Sequence, residues 1–336
     1  MRAIVLVGGF GTRLRPLTLS APKQMLPVGR MTMLERVVSK LGSHGVTEVV
    51  LSLGYQPDAF RDEFPDGRCA GVALHYAVEP EPLDTAGAIR FAAESAGVTE
   101  RFLAINGDVL TDLDVAELWA AHDGFGGVAT IALTPVEDPS RYGVVPIDAD
   151  GRVEAFIEKP EPGTAPSNWI NAGTYVLEPS VLDLIPSGVK VSIERDTFPR
   201  IVADGSLYGL HSDAYWIDAG TPAAYLQAHL DLLDGVRGEF EVGIDPAARV
   251  DPDAKVIRST IGAGAIIASG SEIVDSVVMA GARIAAGTRI ERSLIGGRAA
   301  VGESSVLREL SVVGYDQDVP AGTVASAECF PSKDSW

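Results

Sequence analysis

Hydrophobic positions in the first two-thirds of the chain change period repeatedly. Residues 2–7, RAIVLV, place an unbroken apolar run after Arg2, as a strand buried on both faces requires. Residues 33–45, MLERVVSKLGSHG, carry apolar positions at helical spacing and stop on Gly45. The runs 48–54 (EVVLSLG), 73–78 (ALHYAV), 101–107 (RFLAING) and 127–134 (GVATIALT) predict further strands. Helices are predicted between them at 85–95 (TAGAIRFAAES) and 115–122 (VAELWAAH). Continuous apolar strands alternating with helices predict an α/β domain whose mostly parallel sheet is covered on both faces. Ligands of such sheets sit beyond the carboxyl ends of the strands.

The last third has a different rhythm. Val250, Val256, Ile261, Ile267, Ile273, Val278, Ile284, Ile290, Ile295, Val301, Leu307 and Val312 are spaced 6, 5, 6, 6, 5, 6, 6, 5, 6, 6, 5. Eleven of the twelve are β-branched, and Ala, Ser or Thr stands two residues before each, except at Leu310. The summed period of 17 makes 261, 278, 295 and 312 equivalent. This period is neither helical nor that of a hairpin, and a chance run in a β-sandwich would not sustain it. It predicts a three-sided parallel β-helix, with one short strand per face, an aliphatic residue pointing inward and small residues at the corners. The pattern resembles the left-handed hexapeptide-repeat β-helix. Gly and charge in LLDGVRGEFEVGIDPAARV mark the boundary. The expected organisation is 1–235 for the first domain, 236–249 for a linker, 250–325 for the coil and 326–336 for a tail.

Charge narrows the function classes. Across 336 residues, 27 Lys and Arg face 46 Asp and Glu, a formal net charge of −19. An acidic chain is unsuited to non-specific binding of nucleic acid or anionic membrane. Cys69 and Cys329 lie far apart without metal-type spacing, and read as reduced thiols of a cytoplasmic protein. No apolar stretch approaches the length of a membrane span, and AIVLV is too short for a signal-peptide core.

Against that acidity, residues 8–25, GGFGTRLRPLTLSAPKQM, form a cationic, glycine-rich island directly after the first strand. Neither G-x-x-x-x-G-K-[ST] nor G-x-G-x-x-G is present, since Leu14 stands where the third glycine of the latter would fall. Glycines at 8, 9 and 11 nevertheless allow backbone N–H groups to approach an anion, and Arg13 and Lys23 suit phosphate. On composition alone the stretch also fits a flexible surface loop.

The order of residues is more specific. G-G-x-G-T-R-L-x-P-L-T followed by P-K-x-M-L-P-V resembles the signature of sugar-phosphate nucleotidyltransferases. The run from Val7 to Thr18 looks most like the mannose-1-phosphate guanylyltransferase branch. NGDV at 106–109, EDPSRYGVV at 137–145, EKP at 158–160, INAGTYVL at 170–177, SIERDTFPRIVADGSLY at 192–208 and YWIDAGTPAAYL at 215–226 follow in family order. The resemblance implies a Rossmann-like mixed, mostly parallel sheet followed by a left-handed parallel β-helix. It implies transfer of a nucleotidyl group from GTP to mannose 1-phosphate with the help of Mg²⁺. By the same resemblance Arg13 and Lys23 hold the triphosphate, and Asp108 and Asp218 hold the metal. Leu6, Gly8, Gly9, Gly11 and Thr12, with Leu83, Asp84, Thr85, Ala86 and Gly87, line the nucleotide. Gly143, Glu158, Lys159, Asn171 and Gly173 line the sugar phosphate. Taken singly, the aspartates read equally as turn residues, EKP as a strand-end pair, and Tyr142 as a core aromatic.

Two departures stand out. Asp84 occupies a position where the family usually has glycine, and could either read guanine donors or cap a helix. Gln24 replaces the usual proline after Lys23, and GRM at 29–31 departs from the common run. The competing readings are another sugar-1-phosphate nucleotidyltransferase (glucose-1-phosphate thymidylyl-, uridylyl- or adenylyl-, or heptose-phosphate guanylyl-), or a non-catalytic nucleotide-sugar-binding paralogue. An acyltransferase is disfavoured, because the repeats contain no histidine. Self-association through the β-helix is expected, with no nucleic-acid or membrane partner.

Overall fold

The computed structural model describes residues 1–54, 56–238 and 240–336. By contacts these divide into two compact units, Met1–Gly9 with Glu35–Trp216, and Phe10–Leu34 with Ile217–Trp336.

The first unit is built on a mixed, Rossmann-like sheet. Strands β1 (Arg2–Leu6), β2 (Glu48–Leu53), β3 (Val72–Val78) and β4 (Phe102–Asn106) lie in the order β3-β2-β1-β4, all parallel. Four of the expected strands thus form its centre. A fifth, β5 (Ala129–Pro135), pairs antiparallel with β6 (Trp169–Leu177), which also runs antiparallel to β4. Strand β7 (Leu207–His211) closes the far side, parallel to β5. The expected helices appear as α1 (Met33–Ser43), α2 (Asp84–Ala96) and α3 (Val115–Phe125). Ile4, Val50, Ile131, Leu133 and Tyr175 from the sheet are fully buried with Ile89 and Ala92 of α2. Burial of this apolar surface is the main stabilising term.

Beta-strands end where chemistry is expected. Leu6 of β1 is paired with Asn106 of β4, and the Gly107 amide donates to the Leu6 carbonyl at 2.9 Å. A Cβ on Gly107 would lie 2.7 Å from Val7 Cγ1, so only glycine allows Asp108 to follow so close to the start of the glycine loop.

The second unit contains the left-handed parallel β-helix. Three five-stranded parallel sheets form its faces, starting at Arg249–Val250, Lys255–Ile257 and Thr260–Ile261 and ending at Asp318–Val319, Val324–Ser326 and Cys329–Phe330. Ile261, Ile267, Ile273, Val278, Ile284, Ile290, Ile295, Val301 and Leu307 fill its core. The expected inward position at 312 is corrected by one residue. Ile295 stacks on Val313, not Val312, and Val313 is the core residue. One extra residue causes the shift. Arg258, Asp275 and Arg292 are single left-handed residues at one corner, whereas the next coil has two, Glu309 and Leu310. The missing small residue at 310 was the trace of this insertion, and Ser311 takes its place two residues before Val313.

The small corner residues do more than fit. Ser276 Oγ donates to Val274 O at 2.7 Å and accepts from Ser293 N at 3.0 Å, while Ser259 Oγ accepts from Ser276 N at 3.0 Å. A ladder of buried hydroxyls therefore satisfies backbone groups that the bend removes from the sheets. Helix α4 (Pro222–Leu233) precedes the coil, capped by Thr221.

Candidate active site

In the first unit, the stretch expected to meet the nucleotide is held by segment 189–194. Val191 O accepts from Ala86 N at 2.9 Å and Gly87 N at 3.2 Å, and Val191 N donates to Leu83 O at 3.0 Å. Thr85 Oγ1 donates to Glu194 Oε2 and accepts from Ile193 N, each at 2.8 Å. Ser192 Oγ also donates to Glu194 Oε2, at 2.9 Å. A Cβ on Gly87 would lie 2.6 Å from Val189 O, so this close approach requires glycine.

Two carboxylates commit the remaining donors of this stretch. Glu79 is buried; its Oε2 accepts from Leu83 N at 3.0 Å and its Oε1 from Ser52 Oγ at 2.9 Å. Asp84 Oδ1 accepts from its neighbour Thr85 N at 2.9 Å, so this side chain folds back on the start of α2. Its φ of 61° is left-handed, which accounts for the glycine usual at this position. The N–H groups of Leu83, Thr85, Ala86 and Gly87 are therefore all engaged within the protein.

The second constellation of this unit lies on β6 and the strand pair beside it. Glu158 is registered opposite Gly143, and Lys159 N donates to Tyr142 O at 3.0 Å. Lys159 Nζ donates to Glu158 Oε1 at 2.7 Å, with the lysine side chain 58% exposed and its φ at 50°. Asn171 Nδ2 donates to Tyr175 OH at 2.9 Å, and Asn171 Oδ1 accepts from Gly173 N at 2.9 Å. Burial, with the Glu194 charge second, holds the Tyr175 hydroxyl well above its ordinary pKa, so it stays protonated. Gly173 sits in a bulge of β6 with φ 73°, and a Cβ there would lie 2.6 Å from Asn106 Nδ2. Tyr142 is half-buried, edge-on to Trp216, not sunk in the core. Asp108 is half-buried directly after β4.

The cationic loop belongs to the second unit. Gly11 has φ 61°, and its would-be Cβ lies 3.2 Å from Lys23 Cβ and 3.0 Å from Thr18 Cγ2. Thr18 Oγ1 donates to Gly11 O at 2.7 Å, closing the loop over a buried base of Leu14, Leu17 and Leu26. Thr12 and Arg13 are exposed on a short 3₁₀ turn, and Lys23 opens another. Arg13 Nη2 lies 3.5 Å from Asp218 Oδ2, whose Oδ1 accepts from Gly220 N at 2.9 Å. Gln24 is buried beneath this turn, its Oε1 without a hydrogen-bond partner among the described residues. Gly29, at φ 66°, turns the chain between Pro27–Val28 and Met31–Thr32, which accounts for the GRM departure.

Arg13, Lys23 and Asp218 are thus assembled in one unit. Asp108, Glu158, Lys159, Asn171, Gly143, Gly173 and the 83–87 stretch, with Leu6, Gly8 and Gly9, are assembled in the other. Glu79 and Glu194 escaped sequence reasoning. Their signals were a lone Glu after a predicted strand and the motif SIERD, neither of which names a partner. Among the described residues, no three His, Cys, Asp or Glu side chains gather as a metal cage. Single aspartates with hard oxygen donors fit a Mg²⁺ ion that arrives with phosphates and keeps water, not a site formed by protein alone.

Comparison with known proteins gives two family matches: nucleotidyl transferase over residues 2–235, and GMPPB C-terminal domain over residues 239–334. Mannose-1-phosphate guanylyltransferase of Mycobacterium tuberculosis (strain ATCC 25618 / H37Rv) is 41% identical over 281 residues, covering 80% of this chain and 77% of its own. Mannose-1-phosphate guanylyltransferase 1 of Arabidopsis thaliana is 37% identical over 336 residues, covering 95% and 92%. Among solved structures, HddC from Yersinia pseudotuberculosis is similar at 31% identity and a TM-score of 0.59, covering 68% of this chain and 97% of that one. HddC has also been solved in complex with GMP-PN.

Proposed function

The chain belongs to the nucleotidyl transferase family, and on that footing we propose that it transfers the guanylyl group of GTP to mannose 1-phosphate, releasing pyrophosphate. The stretch 83–87 offers no spare N–H to a base, since those of Leu83, Thr85, Ala86 and Gly87 are engaged. It therefore meets a base with acceptors, which suits the N1–H and N2–H donors of guanine, while similarity to relatives named mannose-1-phosphate guanylyltransferase carries the choice among bases. Relatives named mannose-1-phosphate guanylyltransferase support the sugar.

In this reaction an oxygen of mannose 1-phosphate attacks the α-phosphorus, and the bond to the β-phosphate oxygen breaks. The substrate is the nucleophile, so the protein supplies position and charge. Arg13 and Lys23 hold the triphosphate and take up negative charge on the departing pyrophosphate. The glycines at 8, 9 and 11, Leu6 and Thr12 let the phosphates lie close to backbone. Lys159 exchanges its pairing with Glu158 for the sugar phosphate, and Glu158 then accepts from sugar hydroxyls. Asn171 and the backbone at Gly143 and Gly173 complete that pocket. Asp108 and Asp218 would each offer a carboxylate oxygen to Mg²⁺, which when bound neutralises charge on the phosphates.

We assign the chemistry to residues before about 235 and self-association to the coil at 250–325, with 236–249 as linker and 326–336 as tail. No helix among the described residues is long and apolar enough to cross a membrane, and both cysteines are unpaired thiols, which supports a cytoplasmic setting. The test is pyrophosphate release across a grid of nucleoside triphosphates and sugar 1-phosphates with Mg²⁺. GTP with mannose 1-phosphate should give the highest kcat/KM. A clear preference for dTTP or UTP with glucose 1-phosphate overturns the reading. Binding of GDP-mannose without turnover of any pair would favour the regulatory paralogue.

A further inference from the structure

The cationic loop is anchored at two places to parts of its own unit that lie far away in sequence. At its near end, a Cβ on Gly314 of the coil would lie 3.2 Å from Pro16 Cβ. The Arg15 guanidinium stands over the Trp336 ring at 5.8 Å. At its far end, just after Lys23, Pro27 O accepts from both Tyr225 OH and His229 Nε2, the latter at 3.0 Å. A carbonyl only accepts, so Nε2 carries the proton. Nδ1 of the neutral ring is then an acceptor, facing Thr260 Oγ1 at 3.1 Å and Gly29 N at 3.4 Å. His229 is 1% exposed, and Thr260 is in the first coil. Arg30 N donates to Glu241 Oε2 at 3.2 Å alongside.

We propose that the β-helix is a positioning element for the triphosphate loop, with His229 as the residue through which Thr260 of the coil sets Pro27–Gly29 and hence Lys23. The inference rests on the reading of Arg13 and Lys23 as triphosphate ligands, and not on which base is used. A charge-bearing loop rich in glycine has many conformations, and freezing it before substrate arrives lowers the entropy cost of binding. His229 suits the role because one ring joins three chain segments at fixed geometry. Arg30, Glu241 and Asp245 line the small cavity beside the ring, and the Tyr225 ring packs edge-on to it at 5.0 Å.

Thr260→Val is the decisive variant, made in the full-length chain. It keeps shape and strand propensity but removes the hydroxyl donor. Loss of this donor leaves Nδ1 the longer bond from Gly29 N at 3.4 Å and loosens the hold of the coil on Pro27–Gly29. KM for the triphosphate should rise by up to about tenfold with KM for the sugar phosphate unchanged, while the thermal melt falls by about 2–4 °C. The variant His229→Gln, which retains one donor and one acceptor, should keep KM for the triphosphate near that of the unmodified chain. Ile273→Val, a coil-core change away from both anchors, should lower the melting temperature and leave both KM values alone. Unchanged triphosphate KM in Thr260→Val overturns the proposal, as does an equal rise in both KM values. Lys23→Met, measured in parallel, separates the two ideas: if that variant also retains full activity, the reading of the loop itself falls.

Discussion

Replacing Asp218 by Asn separates chemistry from structure at one atom. The carboxylate makes two contacts: Oδ1 accepts from Gly220 N at 2.9 Å, and Oδ2 lies 3.5 Å from Arg13 Nη2. Asparagine keeps the first through its own carbonyl oxygen. The second is long, and its partners are 22% and 59% exposed, so the pair contributes at most about 1 kcal/mol to stability. The melting temperature should therefore fall by no more than about 4 °C. Removing a negative ligand from the metal-bearing phosphates costs far more in the transition state, at least about a hundredfold in kcat, or roughly 2.7 kcal/mol. Arg13, released from its partner, remains available to the triphosphate, so KM for GTP should not rise. KM for mannose 1-phosphate should stay within about twofold. Steady-state pyrophosphate release over a Mg²⁺ titration, with a melt on the same sample, gives all four quantities. Near-normal turnover at low Mg²⁺ would refute the assignment, and a collapse of the melt would show that Asp218 is a structural residue.

Gly173→Ala should raise KM for mannose 1-phosphate at least about fivefold and lower the melt, because alanine at φ 73° costs about 1–2 kcal/mol and its Cβ meets Asn106; steady-state kinetics that match the unmodified chain would contradict this. Asp84→Gly should leave kcat/KM for GTP within about threefold, since relief of the left-handed strain offsets loss of the bond to Thr85 N; loss of the preference for GTP over other triphosphates would make Asp84 the base reader. Sedimentation of the full-length chain should show an oligomer, and a strict monomer at all concentrations would count against self-association through the coil.

The coil was legible in the sequence because each inward residue is specified by its own neighbours at a fixed step, so local pattern and global fold coincide. The pattern failed at one point only, between Leu307 and Val313, where a second left-handed residue was hidden in Glu309-Leu310. The parallel strands were legible from their apolar runs, whereas β7 and the antiparallel β6 were not read at all, since their pairing depends on distant partners. The candidate residues were legible through ordered motifs. Their supports were not. Thr85 and Glu194 are 109 residues apart, and Pro27 and His229 are 202 apart. Nothing in a linear pattern pairs such positions. Asp84 shows the opposite limit: its type suggested chemistry, while its left-handed backbone and its bond to Thr85 N are local features that no linear pattern announces.

The uneven coil also determines how this domain can grow or shrink. Coils before Leu307 repeat every 17 residues, as Val256, Ile273 and Ile290 show, so excising residues 262–278 would return every later side chain to an equivalent place. Across the insertion the repeat is 18, as in Ile295 to Val313 and Val301 to Val319. A 17-residue excision there would advance the frame by one and turn Val319 and Ala325 outward, with polar neighbours driven into the core. Beyond the insertion the step is 17 again, as in Val312 to Cys329 and Val313 to Phe330, so a 17-residue change breaks the frame only where it spans Glu309-Leu310. The extra residue acts as a punctuation mark: whole coils can be added or removed in steps of 17 on either side of it, but not across it.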